Sequence, residues 1–209
     1  MKRIDKLVKE HIAPLLKKNG FKKKKLSWNR ARGSFVDIID IQELPGSTED
    51  NERFVLNIGV FIPEFHELLW GQSYKGFADE AAAVFRSRLN DLLKGEFSEK
   101  INTPFITLDS DLDILTVGEE LSLAIEKKVL PCLDSFADYQ SLHDFIDSID
   151  SWQKDYPLMQ IYFALLKQSL GEEEAAIAIL DGVITGKNKA WAAHAQRIKM
   201  ALLHKKDPN

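Results

Sequence analysis

The 209-residue sequence predicts an α+β fold, an antiparallel meander sheet packed by helices and followed by an all-helical C-terminal region. Three observations predict it. Apolar residues recur at helical spacing near the N-terminus. Three β-patterned runs with short connections lie between residues 22 and 62. From about residue 116 onward the apolar spacing is helical again.

The first helix rests on Ile4, Leu7, Val8, Ile12, Leu15 and Leu16, which form one apolar stripe. Pro14 interrupts the stripe and predicts a kink or two short helical pieces. Asn19-Gly20-Phe21 supplies the stop, since glycine suits the left-handed position just past a helix.

Three strands are then expected over Lys22–Arg32, Ser34–Leu44 and Arg53–Ile62, the last two joined by the polar run from Pro45 to Glu52. Short connections require antiparallel pairing, because parallel strands need a long crossover. The lysine-rich first strand belongs at an edge, where lysines discourage sheet-to-sheet association. Phe77, Ala81, Val84, Phe85, Leu89, Leu92 and Leu93 predict a helix over residues 77–94, ended by Gly95. Pro104–Leu108 is a candidate fourth strand.

Thr116-Val117-Gly118-Glu119 has capping-box spacing and predicts a helix from there to about Phe136, with Pro131 breaking it near Val129. Further helices are expected near 139–151, 157–170, 172–185 and 188–204. The pair around Leu170-Gly171-Glu172 is similar to a single tetratricopeptide-type hairpin. Residues 1–110 then form a sheet domain, and 111–209 a helical region packing on it or extending it.

The run Leu15-Leu16-Lys17-Lys18-Asn19-Gly20-Phe21-Lys22-Lys23-Lys24, with Trp28-Asn29-Arg30, Ile41-Gln42, Asn57-Ile58-Gly59-Val60-Phe61 and Val129-Leu130-Pro131-Cys132-Leu133, resembles a bacterial family, domain of unknown function 4304. The resemblance spans about residues 4–135. It implies a bacterial protein and carries no activity, substrate or catalytic residue.

Charge is unevenly spread. Residues 1–32 hold twelve Lys/Arg and two acids, a local +10, against −14 in the remainder and −4 overall. Such a polarised chain either attracts an anionic partner or satisfies itself. No apolar run approaches the ~20 residues that cross a bilayer, and the N-terminus lacks the apolar core of a secretory signal. The single cysteine, Cys132, rules out an internal disulfide and fits a reducing cytoplasm.

The candidate chemistry is sparse. Lys22, Lys23, Lys24 and Lys25 with Trp28, Arg30 and Arg32 are the binding candidates. A cationic strand with an aromatic could track phosphates and stack a base, yet lysines on an edge and a core tryptophan are the plainer account. His66 and Glu64, in the segment after the third strand, are the catalytic candidates, with Arg30, Asn57, Arg86 and Arg88 as neighbours in a strand-end pocket. The other histidines, at 11, 143, 194 and 204, show no metal-ligand spacing. Asp109, Asp111 and Asp113, followed by Glu119 and Glu120, approach an EF-hand spacing. Ile114 occupies the position that needs glycine, and acids before a helix favour its positive end without any metal. Cys132 sits on an apolar stripe as a small hydrophobe. Phosphate-binding glycine loops and a Gly-x-Ser-x-Gly elbow are missing, so no cofactor and no metal are expected.

The sequence therefore favours a non-catalytic protein-interaction module, an immunity-like role being one version. An enzyme with a site at strand-end loops and a nucleic-acid binder using the lysine strand stand as alternatives. Oligomeric state is left open.

Overall fold

The structure, a computed structural model, describes residues 1–48, 50–149 and 155–204. The chain divides into two units, Met1–Ile62 with Gly76–Ser135, and Pro63–Lys75 with Phe136–Asn209.

In the first unit the N-terminal helix is α1 (Arg3–Leu7), a π segment (Val8–Ile12) and α2 (Ala13–Lys18) in one run. Two short α pieces are present, as expected from Pro14, joined without a gap by the π segment. A proline inside a helix clashes with the carbonyl four residues earlier, here that of Glu10, and the π segment widens the helix at that point. Gly20, at φ 83°, then turns the chain into the sheet.

The sheet runs β1 (Lys22–Lys24), β2 (Ser27–Arg32), β3 (Phe35–Glu43), β4 (Glu52–Phe61), β5 (Phe85–Arg88), all antiparallel, and β6 (Ile106–Leu108) pairs the beginning of β4 beyond β5. The lysine strand is at the edge, as expected, but residues 22–32 are two strands instead of one. Lys24 pairs with Ser27, so Lys25 and Leu26 make a two-residue turn, with Lys25 held at φ 56°. Nothing in Lys25-Leu26 signals this, because tight hairpins ordinarily place Gly or Asn at such a φ.

The expected helix over 77–94 is likewise replaced, by a 3₁₀ turn (Glu80–Ala82), β5 and α4 (Leu89–Leu93). The pairing edge of β4 competes for this segment and wins. Val84 donates to the Val60 carbonyl, and Phe85 to Arg88 pair with Val60 to Asn57. Gly59 permits the approach, since a Cβ there would lie 2.9 Å from the Ala83 Cβ and 3.1 Å from the Phe85 carbonyl oxygen.

The two faces of the sheet differ. Trp28, Phe35, Ile39, Ile41, Phe54, Leu56, Ile58 and Val60 share one face by register and are all buried. The N-terminal helix packs there. The buried Glu52 carboxylate of β4 accepts from the backbone N–H groups of Arg3 and Ile4 at 2.8 Å each, satisfying donors that a helix start leaves free. A second long helix packs beside it: α5 (Asp111–Ala124), a π segment (Ile125–Val129) and α6 (Leu130–Asp134). It starts five residues before the expected Thr116, at a capping box of Ser110 and Asp113. Near Val129, where Pro131 was expected to interrupt the helix, a π segment ends and α6 begins, and that segment holds the Lys127 carbonyl four residues before the proline. Gly118 lets this helix meet the first π segment, because a Cβ there would fall 2.4 Å from the His11 ring.

The second unit consists of α3 (Pro63–Trp70), α7 (Tyr139–Ser148), α8 (Pro157–Ser169), α9 (Glu173–Thr185), a 3₁₀ turn (Lys189–Trp191) and α10 (Ala192–His204). The helices expected after residue 139 are present. Residues 150 and 151 of the first of them lie outside the described residues, as does Glu49 of the Pro45–Glu52 loop. Gly171, at φ 81°, turns α8 into α9, and Lys199 of α10 reaches Asp181 of α9 at 2.6 Å. Helices α5 and α6, which follow residue 110, belong to the unit that holds the sheet.

Candidate functional site

The β1–β2 hairpin concentrates the basic residues and sorts them into two groups. Alternation along β2 turns Trp28, Arg30 and Arg32 to the helical face. There Asp37 of β3, fully buried, receives Arg30 Nε at 2.8 Å and both Nε and Nη2 of Arg32 at 2.7 and 2.9 Å. The same two guanidinium groups also hold α6: Arg30 Nη2 bonds Asp134 at 2.6 Å, and Arg32 Nη2 bonds the Leu133 carbonyl at 2.6 Å. The Arg30 guanidinium also lies 4.8 Å from the Phe21 ring. Asp37 pushes the pKa of the Arg32 guanidinium up, through its hydrogen bonds first and its charge after that. Trp28, 1% exposed and covered by the Lys23 ammonium at 5.4 Å, presents no surface on which a base could stack.

Lys22, Lys23, Lys24 and Lys25 form the second group. All four are exposed, and none is in an ion pair with a described residue. They line the free edge of the sheet, whereas several basic side chains elsewhere in this unit are committed: Arg86 of β5 binds Glu80 through two bonds, Lys128 of the second π segment binds Glu96, and Lys100, in the turn before β6, binds Asp113.

On the face away from the helices, register places Lys24, Ser27, Asp40, Asn57 and Arg88 in one row across five strands. The segment after Gly76 lies over this face, tied by Asn29. The Asn29 side chain accepts from the Ala78 N–H at 2.6 Å and donates to the Ala78 carbonyl at 3.2 Å. Between hairpin and segment opens a concavity of about 450 Å³, with Lys24, Lys25, Leu26 and Ser27 on one side, Asp40 and Gln42 on β3, and Phe77 to Glu80 opposite. Asp40 is half-buried. Burial pushes its carboxyl up; Asn57 and Ser27 pull it back, and the charges of Glu80 and Asp79 add to the rise. No described residue forms an ion pair with it.

His66 and Glu64 stand on α3 and not on a loop, because Pro63 starts a helix where the third strand ends. Two residues apart on a helix, they do not face each other. Glu64 accepts from the Tyr139 hydroxyl at 3.3 Å, while His66 lies against Tyr74 and Trp70, and burial pushes its pKa down. Arg30 lies on the opposite sheet face from Asn57, Arg86 and Arg88, so the strand-end constellation expected of these residues does not converge. Asp113 is the N3 residue of the α5 cap, and among the described residues no group of three or more His, Cys, Asp or Glu is placed to hold a metal. Burial pushes the Cys132 thiol up to about 11, with Asp37 adding.

Asp40, Gln42, Phe77, Asp79 and Glu80 escaped the reading of the sequence. One signal was present: Asp37 and Asp40 are the only charges inside the apolar run Phe35–Ile41, at opposite parities, so one had to be buried under the helices and the other had to face away.

The family model described as Domain of unknown function (DUF4304) matches residues 12–135. Nothing among curated proteins or solved structures matches the chain. Among the described residues, no helix is long and apolar enough to cross a membrane.

Proposed function

The chain belongs to the family described as Domain of unknown function (DUF4304), a description that names no activity, and we propose from its site that it is a protein-interaction module whose lysine hairpin docks on an acidic face of a protein partner. One observation carries this reading. Of the basic residues gathered by the hairpin, the arginines turn inward onto Asp37, and the four lysines stay exposed at the strand edge with no ion pair to a described residue. Clustered like charges repel one another, and an anionic surface offsets that repulsion while speeding encounter. A protein is favoured over a nucleic acid because the chain as a whole is acidic and Trp28 is buried. An immunity-like neutralising role is one form of this reading. It belongs in a bacterial cytoplasm, where a lone half-buried Cys132 stays reduced.

The test uses the full chain as bait in native lysate treated with nuclease, beside a Lys22→Glu/Lys24→Glu variant. An acidic protein should be retained in stoichiometric amount by the native chain, released by moderate salt, and not retained by the variant. Retention that is equal for both baits, or that vanishes on nuclease treatment, would overturn it.

A further inference from the structure

We infer that the concavity between the β1–β2 turn and the Phe77–Glu80 segment is a binding site for a small zwitterion, its ammonium group on Asp40 and its carboxylate on Lys24 and Lys25. This goes beyond the partner reading and does not require it.

The volume, about 450 Å³, is in the range of small-ligand pockets. Its lining is divided by charge. At the β3 side, Asp40 is half-buried, with neutral hydrogen-bond partners in Asn57 and Ser27 but no ion pair to a described residue, whereas Glu80 is paired with Arg86 at 2.6 and 2.9 Å and Asp79, which accepts from the Ala81 N–H at 2.9 Å, is exposed to water. Asp40 is therefore the carboxylate that a ligand cation would complete. The Gln42 side chain stands one position further along the same face as a hydrogen-bonding group.

At the opposite side Lys24 and Lys25 supply two exposed ammonium groups. The Lys24 ammonium lies 5.9 Å from the Phe77 ring, which directs it over the lining instead of away from it. Leu26, Ala78 and Phe77 provide apolar wall between the charged ends. Lys24 and Asp40 are two strands apart, so their backbones are about 10 Å from each other, a gap narrowed by the length of the lysine side chain. A ligand of one charge would leave one end unmatched and meet repulsion there. A zwitterion matches both.

The experiment titrates the full chain, by amide chemical shifts and calorimetry, with the twenty α-amino acids and the spacer series glycine, β-alanine, 4-aminobutanoate and 6-aminohexanoate. 1,4-Diaminobutane and succinate serve as single-charge controls. At least one zwitterion should bind with Kd below about 1 mM, shift the amides of Ser27, Asp40 and Phe77, and lose at least about tenfold in affinity in Asp40→Asn. Lys24→Met, at an exposed position, should lose affinity equally and carries the test should Asp40→Asn not fold. The inference is overturned if no zwitterion binds, if the diamine or succinate binds as tightly, or if both variants keep native affinity. Because the readout is a purified chain with defined probes, failure here leaves the lysate result on the protein partner standing, and the reverse.

Discussion

Arg32 grips Asp37 at two points, Nε to Oδ2 at 2.7 Å and Nη2 to Oδ1 at 2.9 Å, and the carboxylate so held has no exposed surface. Removing one member of a buried pair leaves the other charged and unsolvated. Asp37→Ala should lower the unfolding free energy by about 3–5 kcal/mol, read from urea denaturation. Arg32→Lys should also destabilise, since an ammonium cannot reproduce the two-point geometry.

Lys25 occupies a left-handed φ of 56° that side chains with a Cβ adopt at a steric cost of about 1–2 kcal/mol. Lys25→Gly relieves it while adding freedom to the unfolded chain. The urea midpoint should rise, by an equivalent of up to about 1 kcal/mol.

Gly118 faces the His11 ring so closely that any Cβ collides with it. Gly118→Ala should therefore destabilise by about 1–3 kcal/mol despite alanine's better helix propensity. His11→Ala introduced alongside should recover part of the loss. Strict additivity in that double-mutant cycle would show the two positions to be uncoupled.

Asp113 is buried and accepts from the backbone N–H groups of Asp109 and Ser110 at 3.0 and 2.8 Å, with Lys100 on its other oxygen. The Lys100 bond first, then those from Ser110 and Asp109, hold its pKa at about 2, below the ordinary 3.8. A depressed carboxylate stabilises above its unfolded pKa and loses that contribution as pH falls through its folded one. Stability should thus drop by on the order of 2 kcal/mol between about pH 4 and pH 2 from this group. Asp113→Asn should flatten that part of the profile.

Cys132, its thiol pushed up to about 11, should react with iodoacetamide at pH 8 far more slowly than free cysteine, because the thiolate is the nucleophile. The same rate for both would show the burial to be transient.

The sheet was legible where a strand announces itself by apolar content, as in Phe35–Glu43 and Glu52–Phe61, and the C-terminal helices by their spacing. Residues 77–94 misled because the spacing of Phe85, Leu89 and Leu92 satisfies a helix equally well. The outcome was decided by the unpaired edge of β4, a partner distant in sequence. The hairpin turn was invisible because Lys25 bears a strain that its residue type does not advertise. The basic candidates were found as a group, but their sorting was not. Which of Arg30, Arg32, Lys22 and Lys24 would turn inward depended on Asp37, a charge buried by packing that sequence spacing alone does not place. Asp40 and Phe77 are 37 positions apart and meet only through the fold.

The two π segments tie chain length to residue identity. Each holds the carbonyl four positions ahead of a proline, Glu10 before Pro14 and Lys127 before Pro131. Deleting one residue from either segment would restore ordinary helical winding and set that carbonyl against the proline ring. Removing that residue leaves these helices unstrained only if the proline is exchanged as well, so in this chain the extra residue and the proline depend on each other.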